Sequence, residues 1–117
     1  MPYATLIPRQ RLAPLLETFT RRFLLGGSPR AADLEVLALD LGDQLPVQGA
    51  RLLGVTYDPD TEDLEIALDS GDHRVFSPRE VWVIEEEDGF LSLIAVVCED
   101  GSRQLLTVKK VGLRRVR

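Results

Sequence analysis

Two Asp-Gly dipeptides, Asp88-Gly89 and Asp100-Gly101, separate the last three apolar runs of the chain, "REVWVIEEE", "FLSLIAVVCE" and "SRQLLTVKKV". Asp-Gly between alternating runs is a strong hairpin signal, because a tight turn needs residues that reach positive φ at little cost. The last third therefore reads as an antiparallel meander, and its turns set the register. With two-residue turns, Val83 pairs with Ile94, Trp82 with Ala95, Val96 with Leu105 and Leu93 with Val108. One face then carries Val81, Val83, Ile94, Val96, Leu105 and Thr107. The other carries Trp82, Ile84, Leu91, Leu93, Ala95, Leu106 and Val108. Both faces are apolar, so both require cover.

The first segment supplies some of that cover. Leu12, Leu15, Leu16, Phe19 and Phe23 recur at the spacing of one helical face. Pro14 suits the first turn, where a missing N–H matters least; a helix starting as early as Arg9 would be kinked by it. "GGSP" at Gly26–Pro29 carries the glycine and proline that end helices. Beyond it, "DLEVLALDL" is apolar on both faces, as in a central strand. "GARLLGVTY" follows, and "LEIAL" alternates Leu64, Ile66 and Leu68 against Glu65 and Ala67. "HRVFSP" is short and stops at Pro78, which suits an edge.

These readings predict an α+β fold: an N-terminal amphipathic helix packed on a curled, mainly antiparallel sheet of six or seven strands, with closure into a barrel as one way to cover the second face. A two-fold homodimer, sheet face to sheet face, is the other. The expected organisation is a single domain over residues 1–117, with a helix region 1–27, a sheet region 33–111 and a basic tail 112–117.

Charge is unevenly placed. Residues 1–30 hold five arginines and one acid, Glu17, whereas residues 31–100 hold eighteen acids and three arginines. The remainder holds six bases and no acid, for a net charge of −5. The ends can neutralise the middle, or present a basic edge and an acidic face to different partners. Overall acidity argues against a dedicated nucleic-acid binder. No apolar run is long enough to span a membrane, no secretory leader pattern is present, and Cys98 is the sole cysteine; a cytoplasmic location is the simplest expectation.

Candidate chemistry is sparse. In "YDPDTEDLEI", Asp58, Asp60 and Glu62 stand at alternate positions, like the start of a calcium loop. The sixth position is Asp63 where such a loop needs Gly, and the twelfth is Asp69 where it needs Glu. These three are the candidates for a weak cation site; Pro59 and the aspartates favour a plain hairpin turn. "EEED" at Glu85–Asp88 reads as a solvated strand end. His73 has no second histidine to share a metal and reads as an exposed turn or edge residue. Cys98 reads as a buried, inert thiol. "GGSPR" follows a helix and lacks the Lys and Ser/Thr of a phosphate loop. No catalytic residue, cofactor site or metal centre is assigned. The terminal "KKVGLRRVR" makes Lys109, Lys110, Arg114, Arg115 and Arg117 an interaction candidate, through charge pairing with an acidic surface; no aromatic residue is interleaved for base stacking.

"IPRQRL" at Ile7–Leu12, "LLETFTRRF" at Leu15–Phe23, "GARLLGVTYDP" at Gly49–Pro59, "HRVFSPREVWV" at His73–Val83 and the two "EDG" turns resemble a family of short bacterial proteins described only as a domain of unknown function, number 5335 of that series. Leu12 stands where that family suggests Trp, and Ser77 where it suggests His. None of these motifs is catalytic, so the resemblance implies no activity. The sparse catalytic groups favour a non-enzymatic binding or interaction domain with a protein partner still to be named. The alternative is a small-molecule-binding or enzymatic barrel with a pocket near His73 and Tyr57, joined by acids and Arg79.

Overall fold

The computed structural model of the chain describes residues 3–25, 30–38 and 42–109. Its strands are β1 (Thr5–Leu6), β2 (Ala31–Ala38), β3 (Gly42–Asp58), β4 (Asp63–Leu68), β5 (Gly71–Val75), β6 (Pro78–Glu85), β7 (Leu91–Cys98) and β8 (Arg103–Val108). They form one antiparallel sheet in the order β1-β6-β7-β8-β2-β3-β4-β5. Eight strands replace the expected six or seven. The added strand is the two-residue β1; β3 is also longer than expected, its first half being obscured in the sequence by Pro46 and the glycines.

The meander is present, but its turns differ from the expected ones. Glu86 N–H donates to Phe90 O, and Cys98 N–H to Ser102 O, so each loop holds three residues, Glu87–Gly89 and Glu99–Gly101. Gly89 (φ 94°) and Gly101 (φ 90°) take the last loop position, which requires positive φ. In the first hairpin a bulge at Ser92 absorbs the extra loop residue, and Val83–Ile94 and Trp82–Ala95 pair as expected. The second hairpin has no such bulge. Val96 pairs with Gln104 and Ile94 with Leu106, one residue away from the expected register. That slip exchanges the faces of β8: Leu106 and Val108 join the core, and Leu105 and Thr107 turn outward.

Strand β3 bends the sheet. Its pairing with β2 shifts between Ala32 and Leu34 and again between Leu34 and Val36, and its pairing with β4 shifts between Leu52 and Gly54. Each shift inserts a β3 residue without a partner, which increases twist and bends the strand. Gly49 (φ 69°) sits at the first bulge, where its N–H donates to the Asp33 carboxylate at 2.7 Å. Pro46, which has no N–H to give a ladder, falls within the second. Only Phe76 and Ser77 separate β5 from β6, so the two ends of the sheet come close together. The ladder nevertheless stays open: β5 and β1 are its two edges. Edge placement of β5 agrees with the reading of "HRVFSP", although Pro78 opens β6 rather than closing β5.

The helix α1 (Arg9–Phe19) continues into a π-helical turn at Thr20–Leu24. It starts at Arg9, so Pro14 lies inside it on the exposed side. The Gln10 carbonyl thus loses its intrahelical donor on a side open to water. Leu12, Leu16 and Phe19 are buried on the concave side of the sheet, among Val55, Leu64, Ile66, Val81, Ile94 and Leu106. Phe19 and Phe23 stack edgewise on Phe90 with ring centres 5.6 and 5.4 Å away. Helix and bent sheet thus share one core, and the helix packs inside the curl rather than against a flat meander. The expected helix stop at Gly26–Pro29 lies outside the described residues.

Candidate interaction surface

Burying Val81, Val83, Ile94, Val96, Leu106 and Val108 sends their neighbours along each strand to the convex side. There the registers place side chains in level rows. Leu6, Trp82, Ala95, Leu105 and Glu35 form the central row. Ile84, Leu93, Thr107 and Asp33 form the row on one side of it, and Glu80, Val97, Arg103 and Leu37 the row on the other. Trp82, Ile84, Leu93, Ala95, Val97 and Leu105 are half-buried by one another, and Leu6 is 47% exposed. The centre of this face is uncharged and apolar; its ionisable groups lie toward the margins. Trp82 Nε1–H donates to the Glu80 carboxylate at 3.0 Å, which fixes the indole on the surface. The sequence signals both apolar faces but misassigns β8. The cue is its more apolar alternating set, Gln104-Leu106-Val108, against Arg103-Leu105-Thr107.

The acidic segment forms the β3–β4 hairpin turn. Glu62 N–H donates to Asp58 O at 2.7 Å, and the Asp58 carboxylate accepts from Asp60 N–H at 2.9 Å. The Glu62 carboxylate lies 3.3 Å from Arg9, which ties the turn to the start of α1. The carboxylates of Asp58 and Glu62 are therefore engaged, the first with backbone and the second with arginine. Among the described residues no group of three or more His, Cys, Asp or Glu side chains is placed to hold a metal ion.

His73 lies on the edge strand β5, as one of its two readings had it, but it is not exposed. It is half-buried on the concave side of β5, and its Nε2 lies 2.6 Å from Gln104 Oε1 on β8. Tyr57 is buried too, with its hydroxyl lacking a hydrogen-bond partner among the described residues. A cleft of about 360 Å³ is lined by Tyr57, Asp58, Asp63, Glu65 and Arg74, and Arg74 is paired with Asp63 at 3.6 Å. Arg79 lines a different cleft, of about 330 Å³, between Leu6–Leu12 and Pro78–Val81. His73 lines neither, so the groups proposed for a barrel mouth are not gathered in either cleft. Cys98 is a buried free thiol.

Of the five terminal bases singled out in the sequence, Lys109 pairs with Asp33 at 3.5 Å. Lys110, Arg114, Arg115 and Arg117 lie outside the described residues. No helix among the described residues is long and apolar enough to cross a membrane. The Asp100 carboxylate accepts from Ser102 Oγ at 2.6 Å and from Ser102 N–H at 2.9 Å, and these bonds hold its pKa below the ordinary carboxylate value.

An uncharacterised protein from Aquifex aeolicus is 42% identical over 77 residues, covering 65% of this chain and 68% of that protein. No solved structure matches the chain. The model of a family of unknown function, DUF5335, matches residues 4–112, which span the helix and all the strands described above, and the chain belongs to that family.

Proposed function

We propose that the chain is a non-enzymatic interaction domain whose working surface is the convex face of β6, β7 and β8. One observation carries this reading: Trp82, Ile84, Leu93, Val97 and Leu105 form a contiguous uncharged patch over a core that is already complete. A fold can satisfy its burial requirement on one side of a sheet and place polar residues on the other. Here the second side is also apolar, a composition that marks contact surfaces. The indole of Trp82 adds large contact area with little rotamer freedom to lose, the character of interface anchors. The clefts offer weaker support for catalysis: neither contains His73 or Cys98, and in the Tyr57 cleft Arg74 is already paired with Asp63.

The test is site-specific photo-crosslinking in living cells. A photoreactive residue at Leu105 gives a discrete covalent adduct, and one at Glu65, on the convex side of the β3–β5 region, gives none. Equal adducts from both positions, or none from Leu105, would overturn the reading.

A further inference from the structure

We propose that the convex face is the interface of a homodimer whose two-fold axis runs along β7, so that β8 of one copy lies over β6 of its partner. This deepens the interaction reading above and rests on it. The argument is charge complementarity within fixed registers. Glu80, Val97 and Arg103 stand level across β6, β7 and β8. A two-fold axis along β7 keeps the level and exchanges the flanking strands. Arg103 then meets the partner's Glu80, and the same pair forms a second time. Leu105 meets the partner's Trp82, Thr107 meets the partner's Ile84, and Ala95, the smallest apolar side chain of the patch, sits on the axis where the copies approach most closely. Arg103 is exposed and forms no ion pair among the described residues; Glu80 engages only the Trp82 indole. An axis across the strands would instead lay β8 over itself and set Arg103 on Thr107, leaving both charges unpaired.

Size agrees with a dimer that dissociates. Strands β1, β6, β7, β8 and β2 at about 4.8 Å spacing, and five residues at about 3.3 Å rise, give a footprint near 400 Å². Aligned sheet packing rotates the two faces by about 30°, which the long arginine stem spans. Two such faces bury roughly 800 Å² in total, below the standard size of specific interfaces and in the range of weak, transient contacts, where affinities are modest.

Light scattering and sedimentation of the full chain test this. Wild type at micromolar concentration has a concentration-dependent mass that approaches twice 13.1 kDa. Glu80→Arg alone and Arg103→Glu alone each weaken the dimer by tenfold or more, because each sets like charges opposed at both contacts. Mixing the two variants restores a dimer of one copy of each, since both contacts become attractive again. Melting transitions establish that each variant is folded before mixing. A mass of 13.1 kDa without concentration dependence, or single variants that dimerise as well as wild type, would overturn the proposal. If wild type is a monomer while Leu105 still crosslinks to another protein, the dimer falls and the interaction surface stands. If no adduct forms from Leu105 either, both fall.

Discussion

Thr20 stands in for a strand. Its hydroxyl donates to Val55 O at 2.9 Å and accepts from Val55 N–H at 3.0 Å. Past the bulge at Leu53, β3 has β4 on one side only, and the backbone groups of Val55 turn to this single side chain on the other. Gly54 adjoins this contact; a Cβ there would lie 3.4 Å from Thr20 Cγ2, an ordinary van der Waals distance. Thr20→Val keeps the shape but leaves two backbone groups without partners, and is expected to cost about 1–3 kcal/mol in urea denaturation. Thr20→Ser keeps both bonds and loses about one methyl group of burial, near 0.8 kcal/mol. Equal stability of the two variants would show that the hydroxyl carries no structural load. The N-terminal arginines are similarly absorbed by local contacts. Arg22 lies over Phe23 at 4.8 Å and Arg30 over Phe90 at 5.2 Å, so two of the five N-terminal arginines pack on the aromatic cluster.

At the scale of elements, the two hairpins look alike in sequence and behave differently. Both end a three-residue loop in Gly, yet only the first has a compensating bulge. Gly101 at φ 90° occupies backbone space that a Cβ disfavours. Gly101→Ala is expected to lower stability by about 1–2 kcal/mol, read as a fall in melting temperature. Gly101→Asn costs less, because Asn tolerates positive φ better. An unchanged melting temperature for Gly101→Ala would mean that the loop relaxes to a different turn. The neighbouring Asp100 carboxylate has a lowered pKa in the folded chain. The stability it contributes is therefore present above the ordinary carboxylate pKa and is lost as pH falls through the folded value. Most strand positions were legible from alternation, as in the buried Leu64, Ile66 and Leu68 of β4. The face of β8 was not, because adjacent Leu105 and Leu106 satisfy either register.

For the whole molecule, the bend at β3 decides whether the sheet becomes a barrel. It brings β5 back toward β8, where His73 meets Gln104 at 2.6 Å across the interior. A double-mutant cycle of His73→Ala and Gln104→Ala is expected to show coupling of about 0.5–1.5 kcal/mol. Coupling indistinguishable from zero would mean that the two limbs of the sheet are held by apolar packing alone. The ladder stops short of closure, and α1 lies inside the curl, its Arg9 bridging to Glu62 at the far turn. The helix and the returning β4–β5 hairpin together cover the concave face and leave the convex face of the meander to solvent or to a partner.

The sequence by itself determined the helix stripe, the meander, the alternation of β4 and the scarcity of catalytic groups, because each depends on residues close together in the chain. Periodicity and turn chemistry act over a few residues and need no knowledge of the rest. The tertiary structure alone decided the register of β8, the placement of His73 against Gln104, the extension of the "GARLLGVTY" run back to Gly42 as the bent β3, and which apolar face stays outside. Those outcomes depend on contacts between residues tens of positions apart. Either face of the meander could have been buried on composition alone, and the one that met the helix and the returning β4–β5 hairpin became the core.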